Sequence, residues 1–124
     1  ISTRHNPEFT TLEFYYAYAN YLDAMDLTEK LLRFAVFHAM GSEQVSYQGT
    51  HIDFGKPFQR LTLCEAILQA YPELKPQDLN NIEVMRKFAT QHNLKVEAQD
   101  GLGKIWLEIF EKKIEAELWQ PTFI

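Results

Sequence analysis

"RHNPEFTTLEFY", residues 4–15, sets a His-Asn-Pro turn directly ahead of a run of aromatic, threonine and acidic side chains. Phe, Thr and Tyr favour a pleated, half-covered surface, so a strand is predicted over residues 8–19. With period two, Phe9, Thr11, Glu13 and Tyr15 share one face and Thr10, Leu12, Phe14 and Tyr16 the other. Both faces carry large side chains, as in a strand covered on both sides. A glutamate at its centre needs a partner, because an unpaired buried charge is costly.

The chemistry of the stretch runs in an order. His5-Asn6-Pro7 offers donors that can reach phosphate or ribose oxygens, and Pro7 stiffens the turn. Phe9 can present its ring to a purine. Glu13 and Tyr15, a carboxylate and a phenol two residues apart on one face, suit an ammonium group. Loop for phosphate, ring for base, acid and phenol for an amine point to a nucleotide and an amino compound held together. On pattern alone, the alternative is an aromatic core strand with one solvated glutamate.

Outward from this stretch the chain turns helical. Leu22, Met25, Leu27, Leu31, Leu32, Phe34, Ala35 and Met40 give a broad apolar face that ends at Gly41, a C-cap residue. "VSYQGTHIDF", residues 45–54, reads as two short strands around Gln48-Gly49. Pro57 breaks the chain, and Thr62-x-x-Glu65 has capping-box spacing for a short helix to Ala70, stopped by Pro72. A connector from 72 to 76 leads to a helix over 81–92. Asp100 is expected to cap a last helix, 101 to about 117, with Leu102, Ile105, Trp106, Ile109, Phe110 and Ile114 as its apolar stripe. "LWQPTFI", residues 118–124, reads as the start of a strand. Both ends look like interrupted strands, so the chain is expected to be an internal piece of a larger protein. No repeat or low-complexity segment is seen.

Composition sets the outer limits. The chain has 124 residues, 46% hydrophobic and 23% charged, which suits one folded, soluble unit. No apolar run is long enough to span a bilayer, and no basic segment followed by an apolar one marks a signal peptide. The lone Cys64 supports no internal disulfide and suits a reducing, cytoplasmic compartment. Net charge is −5 and the sequence pI about 5.3. The densest positive run, Lys112-Lys113, lies among Glu111, Glu115 and Glu117, so no nucleic-acid-binding surface is evident in this piece.

Other motifs carry less. "GLGK", residues 101–104, lacks the spacing of a phosphate-binding loop and has Ile105 where Ser or Thr is required, so it reads as a helix start. His5, His38, His51 and His92 lack paired metal-ligand spacing; His38 and His92 fall near helix C-termini, where positive charge is favoured. Cys64 reads as a small buried helix residue and not a nucleophile. "EIFEKKIEAE", residues 108–117, reads as a solvated helix face with i, i+4 pairing.

"HNPEFTTLEFYYAYANYLDAMDLTE", residues 5–29, resembles the second signature motif of class II aminoacyl-tRNA synthetases, and within them the lysyl-tRNA synthetases. The family pattern of His or Arg, then Phe four residues on, then an acid four further, is met by His5, Phe9 and Glu13. "PEFT" is shared with the aspartyl and asparaginyl enzymes, while His-Asn before it and Glu-x-Tyr after it favour the lysyl group. The likeness continues through "THIDFGKPFQRLTLCEAI", "GLGKIWLEIFE" and "QPTFI", and so covers essentially the whole chain.

The resemblance implies an α+β fold: a fragment of the antiparallel-sheet catalytic domain with a helical insertion, made of a strand, a long helix, a β-hairpin and three further helices. It divides the chain into 1–19 (motif-two loop and strand), 20–41 (long helix), 42–117 (hairpin and helical insertion) and 118–124 (start of the next strand). It implies ATP contacts by His5 and Asn6, adenine stacking on Phe9, and lysine binding by Glu13 and Tyr15. Arg4 sits beside the phosphate-binding turn at a less characteristic position. The implied reaction is ATP-dependent activation of lysine and transfer to tRNA, with Mg2+ as cofactor, lysine, ATP and tRNA as partners, and a homodimeric parent in the cytoplasm. No catalytic base, nucleophile or metal ligand is assigned within this chain; the family's first and third motifs, its acidic Mg2+ ligands and its anticodon-binding domain are not here. The piece alone is therefore expected to be inactive. Two other readings stand beside this one: a synthetase paralogue that lysylates a protein, and an isolated helical interaction module.

Overall fold

The computed structural model describes residues 5–124, and Arg4 lies outside them. Along the chain run α1 (Tyr21–Met40), β1 (Gln44–Tyr47), β2 (Thr50–Asp53), β3 (Gln59–Arg60), α2 (Leu63–Ala70), α3 (Pro76–Leu79), α4 (Ile82–Gln91), α5 (Leu102–Ile109) and β4 (Thr122–Phe123). This is a mixed helix-and-sheet chain, in keeping with an α+β class.

The apolar core belongs to the second half. Ile67 of α2, Leu79 of α3, Met85 and Ala89 of α4, and Ile105 and Ile109 of α5 are almost completely buried together. The stripe expected on the last helix is the one that packs: Ile105, Ile109, Phe110 and Ile114 are buried, with Leu102 and Trp106 half-buried beside them. Trp106 satisfies its indole N–H on the carbonyl of Leu79 at 3.1 Å, as a buried indole must. Beyond α5 the helix widens into a π turn, Phe110–Ile114, and tightens into a 3-10 turn, Glu115–Glu117. Both Phe110 and Ile114 stay inside across the widened turn.

Local chemistry explains most boundaries. Asn20 caps α1 through Leu22 N (2.8 Å) and Asp23 N (3.2 Å), and Asp23 returns the bond to Asn20 N at 2.8 Å. Gly41 ends α1 in the left-handed region, φ 72°. Thr62 and Glu65 form the reciprocal capping box of α2. Gln48 and Gly49, φ 49° and 82°, make the two-residue turn between β1 and β2, which pair antiparallel from Gln44↔Asp53 to Tyr47↔Thr50.

Four expectations are corrected. No strand forms over residues 8–19: residues 6–18 make no ladder and are exposed, and Tyr18 adopts φ 57° before α1. β-propensity is realised only against a neighbouring strand, and no strand among the described residues lies beside this segment. The helical part holds a fourth helix, the single turn α3, opened by Pro76 at its first position. Asp100 does not cap α5. Its carboxylate accepts from Glu97 N at 2.8 Å and closes the turn before it, leaving Gly101 as the cap residue. Finally, the face that α1 turns inward shares only Met25 with the apolar face read from periodicity. Ala24, Met25, Thr28, Glu29, Arg33 and Val36 are half-covered, whereas Leu22, Leu27, Leu31, Leu32, Phe34 and Met40 are exposed. The helix is apolar around much of its girth, and periodicity alone does not say which side meets this part of the protein.

β4 does form, and its partner is β3, in parallel register Gln59↔Thr122 and Arg60↔Phe123. Gln120 ties this pair to the hairpin: its Oε1 accepts from Asp53 N at 3.1 Å and its Nε2 donates to His51 O at 2.8 Å. One side-chain amide thus satisfies the free edge of β2 as a neighbouring strand would.

Candidate functional site

His5, Asn6, Phe9, Glu13 and Tyr15 lie on one continuous exposed segment that leads into α1. Phe9 is 78% and Tyr15 95% exposed, so the ring and the phenol face solvent. His5 sits at an isolated β-bridge. Among the described residues, Asn6, Phe9, Glu13 and Tyr15 make no side-chain hydrogen bond, ion pair or ring contact. The segment therefore lays out the five side chains in order and does not close a pocket around them.

α1, which follows the segment, is tied to the loop after β2 and to β3 by a polar cluster that the sequence reading did not single out. Arg33 of α1 donates from Nε to Phe54 O at 2.8 Å, and from Nη2 to Lys56 O at 3.1 Å and Glu29 Oε1 at 2.9 Å. Arg60 of β3 bonds Asp26 and approaches the other oxygen of Glu29 at 3.7 Å. Its guanidinium also lies 5.8 Å from the Phe123 ring centroid. The hydrogen bond from Arg60, with its positive charge, holds the Asp26 carboxyl below the usual aspartate range. The signal in the sequence was the i, i+4 spacing of Glu29 and Arg33 on one helix face.

Beside this cluster a cleft of about 510 Å³ opens between α1 and β3–β4, lined by Tyr21, Leu22, Met25, Leu61 and Phe123 among others. Residues 5–15 do not line it.

The other singled-out residues take structural places. His38 and His92 each bond through Nδ1 to the carbonyl four residues back, Phe34 O and Phe88 O, both at 2.9 Å, and each lies against that phenylalanine ring. Cys64 is half-buried on α2, and burial, with help from the Glu65 charge, pushes its thiol pKa up, away from reactive thiolate. Gly103 lies inside α5, where Lys104 pairs with Glu108 at 3.9 Å, so "GLGK" starts a helix. In the Glu/Lys run, Glu111, Lys112, Lys113, Glu115 and Glu117 are exposed. No helix among the described residues is long and apolar enough to cross a membrane. Among those residues no three His, Cys, Asp or Glu side chains converge into a metal-binding group.

The exposed segment leading into a capped helix, followed by a hairpin and a group of helices, belongs to a class that comparison identifies. The chain belongs to the family described as tRNA synthetases class II (D, K and N), which it matches over residues 1–124. It is 52% identical over its whole length to the lysine–tRNA ligases of Thioalkalivibrio sulfidiphilus and Idiomarina loihiensis, and 49% identical to that of Coxiella burnetii. It spans 25% of the length of each of these relatives.

Proposed function

We propose that this chain is the part of an ATP-dependent lysine–tRNA ligase that carries the motif-two ATP contacts and part of the lysine site. The observation that supports the reading is "HNPEFTTLEFY", residues 5–15, set within an unbroken likeness to relatives named lysine–tRNA ligase. In this reading His5 and Asn6 contact the phosphates of ATP, Phe9 stacks on adenine, and Glu13 with Tyr15 holds the lysine ammonium. The domain boundaries follow: 1–19 motif-two loop and strand, 20–41 helix, 42–117 hairpin and helical insertion, 118–124 the next strand. Mg2+, tRNA and the second subunit of a homodimer are engaged by other parts of the protein, in the cytoplasm.

The chemistry asks little covalent work of these residues. Adenylate formation places the lysine carboxylate against the α-phosphate and stabilises the charge that develops. The residues of this chain bind and orient, so no base or nucleophile is assigned to them. The 124 residues alone are inactive in this reading, because the segment offers its side chains to solvent and does not enclose a substrate.

Lysine-dependent ATP–pyrophosphate exchange by the full-length protein, with Glu13→Gln beside the wild type, tests the reading. Exchange that needs lysine and collapses in the variant is expected. Exchange that follows another amino acid equally well would refute lysine as the substrate. Transfer to a protein lysine, with none to tRNA, would establish the paralogue instead.

A further inference from the structure

The helical core is drawn from one stretch of chain. Its buried residues, from Ala66 to Ile114, and the half-buried apolar side chains packed on it, from Leu61 to Leu118, all belong to residues 61–118. α2, α3, α4, α5 and the π turn pack on one another, and no comparable packing joins α1 or the β1–β2 hairpin to them. Among the described residues, none from 6 to 58 shares a hydrogen bond or an ion pair with residues 61–118.

The seam runs along β3 and β4. One leads into the helices and the other follows them, side by side, with Gln59 N donating to Pro121 O and Leu61 N to Phe123 O, both at 3.0 Å. Phe58 is buried outside the helical core, its ring centroid 6.0 Å from that of Phe54 and 5.8 Å from that of Phe123. The side chains of Gln120 and Arg60 also reach back, to the hairpin and to α1. Arg33 in turn ties α1 to the loop that ends the hairpin, at Phe54 O and Lys56 O.

The chain spans 25% of the length of its relatives, and further protein can cover what is exposed in it. It is not what buries Ile67, Met85, Ala89, Ile105 and Ile109, which are already 0% exposed within these 124 residues. Little apolar surface is left over for it: among the described residues 61–118, Leu107 is the one exposed large apolar side chain. A closed core, adjacent ends and a length of about sixty residues are the anatomy of a small domain that folds alone.

We infer that residues 61–118 form an autonomous cooperative unit of the full-length protein, one that opens and refolds without α1 or the hairpin. The hairpin and the helices, neighbours in sequence, belong to different units divided at β3–β4. Segments that share neither packing nor bonds open separately, and a substitution in one leaves the stability of the other unchanged.

Native-state amide hydrogen exchange of the full-length protein tests this, with Ile109→Val on one side of the seam and Arg33→Met on the other. Ile109→Val trims the helical core without emptying it. It is expected to lower protection across α2, α4 and α5 by one common factor, about two- to twelvefold, and to leave α1 and β1–β2 as in wild type. Arg33→Met is expected to do the converse, lowering protection in α1 and the hairpin and sparing the helices. Protection that falls by the same factor on both sides of the seam in either variant would overturn the inference, because the whole would then be one cooperative fold. A loss confined to the amides around Ile109 would overturn it too, since the helices would then open piecemeal.

Discussion

At the scale of the residue, Glu13 and Tyr15 divide one task in the proposed site. Both would bond a charged ammonium, and a hydrogen bond to a charged group is worth about 1.5–3 kcal/mol, with the carboxylate adding the attraction of opposite charges. In the full-length protein Tyr15→Phe is accordingly expected to raise the lysine KM by roughly tenfold or more, and Glu13→Gln by more still. The KM for ATP should hold in Tyr15→Phe, because the phenol is assigned to the amine and Phe9 to the base. A Tyr15→Phe enzyme with unchanged lysine KM would remove that residue from the amine site. The identity and order of these side chains were legible in the sequence, since chemistry of this kind is carried by residue type and spacing. Their exposure was not, because burial depends on what a segment packs against.

Individual elements obey their caps and stripes. Glu65 accepts from the backbone N–H of Thr62 (2.7 Å) and from its hydroxyl (2.9 Å), and these bonds hold its carboxyl below the usual glutamate range. A carboxyl with a lowered folded pKa contributes stability that is complete above its unfolded pKa and is lost as pH falls through the folded one. The acid limb of the stability curve, below the ordinary glutamate range, is thus where this contribution is lost. Thr62→Ala is expected to destabilise by about 1 kcal/mol at neutral pH, with the difference shrinking on acidification. Denaturant melts at neutral and acid pH check this, and a difference constant with pH would show that the bond from the Thr62 hydroxyl to the carboxylate contributes nothing. Deeper in, Ile109→Ala removes a fully buried side chain from the joint of α2, α4 and α5 and should cost about 2–5 kcal/mol, read as a lower thermal midpoint. α2, α4 and the α5 stripe were readable because caps and periodicity are local. The change from α to π geometry after Ile109, and the single turn α3, were not, because they answer to packing and to a proline whose effect depends on its neighbours.

For the whole molecule, surface area is the telling quantity. The chain exposes 9458 Å², against about 6,900 Å² for a compact monomer of its mass. Phe9, Leu12, Tyr15, Tyr16, Tyr18, Tyr21 and the outer side of α1 contribute to the exposed apolar surface. Apolar surface in excess of that compact area drives association. The 124-residue chain by itself is therefore expected to show a mass that rises with concentration in sedimentation experiments. A monomer at every concentration would count against the interaction-module reading. The sequence by itself determined the family resemblance, the helices with clear caps, the hairpin at Gln48-Gly49 and the core stripe from Ile105 to Ile114, because each rests on neighbours within a few positions. Only the tertiary structure decided that residues 8–19 stay unpaired in this chain, that β4 finds β3, that α1 turns a half-polar face inward, and that Arg33 and Gln120 join distant segments. Those outcomes depend on partners far apart in the sequence, and a strand or a helix face has no preferred side until such a partner covers it.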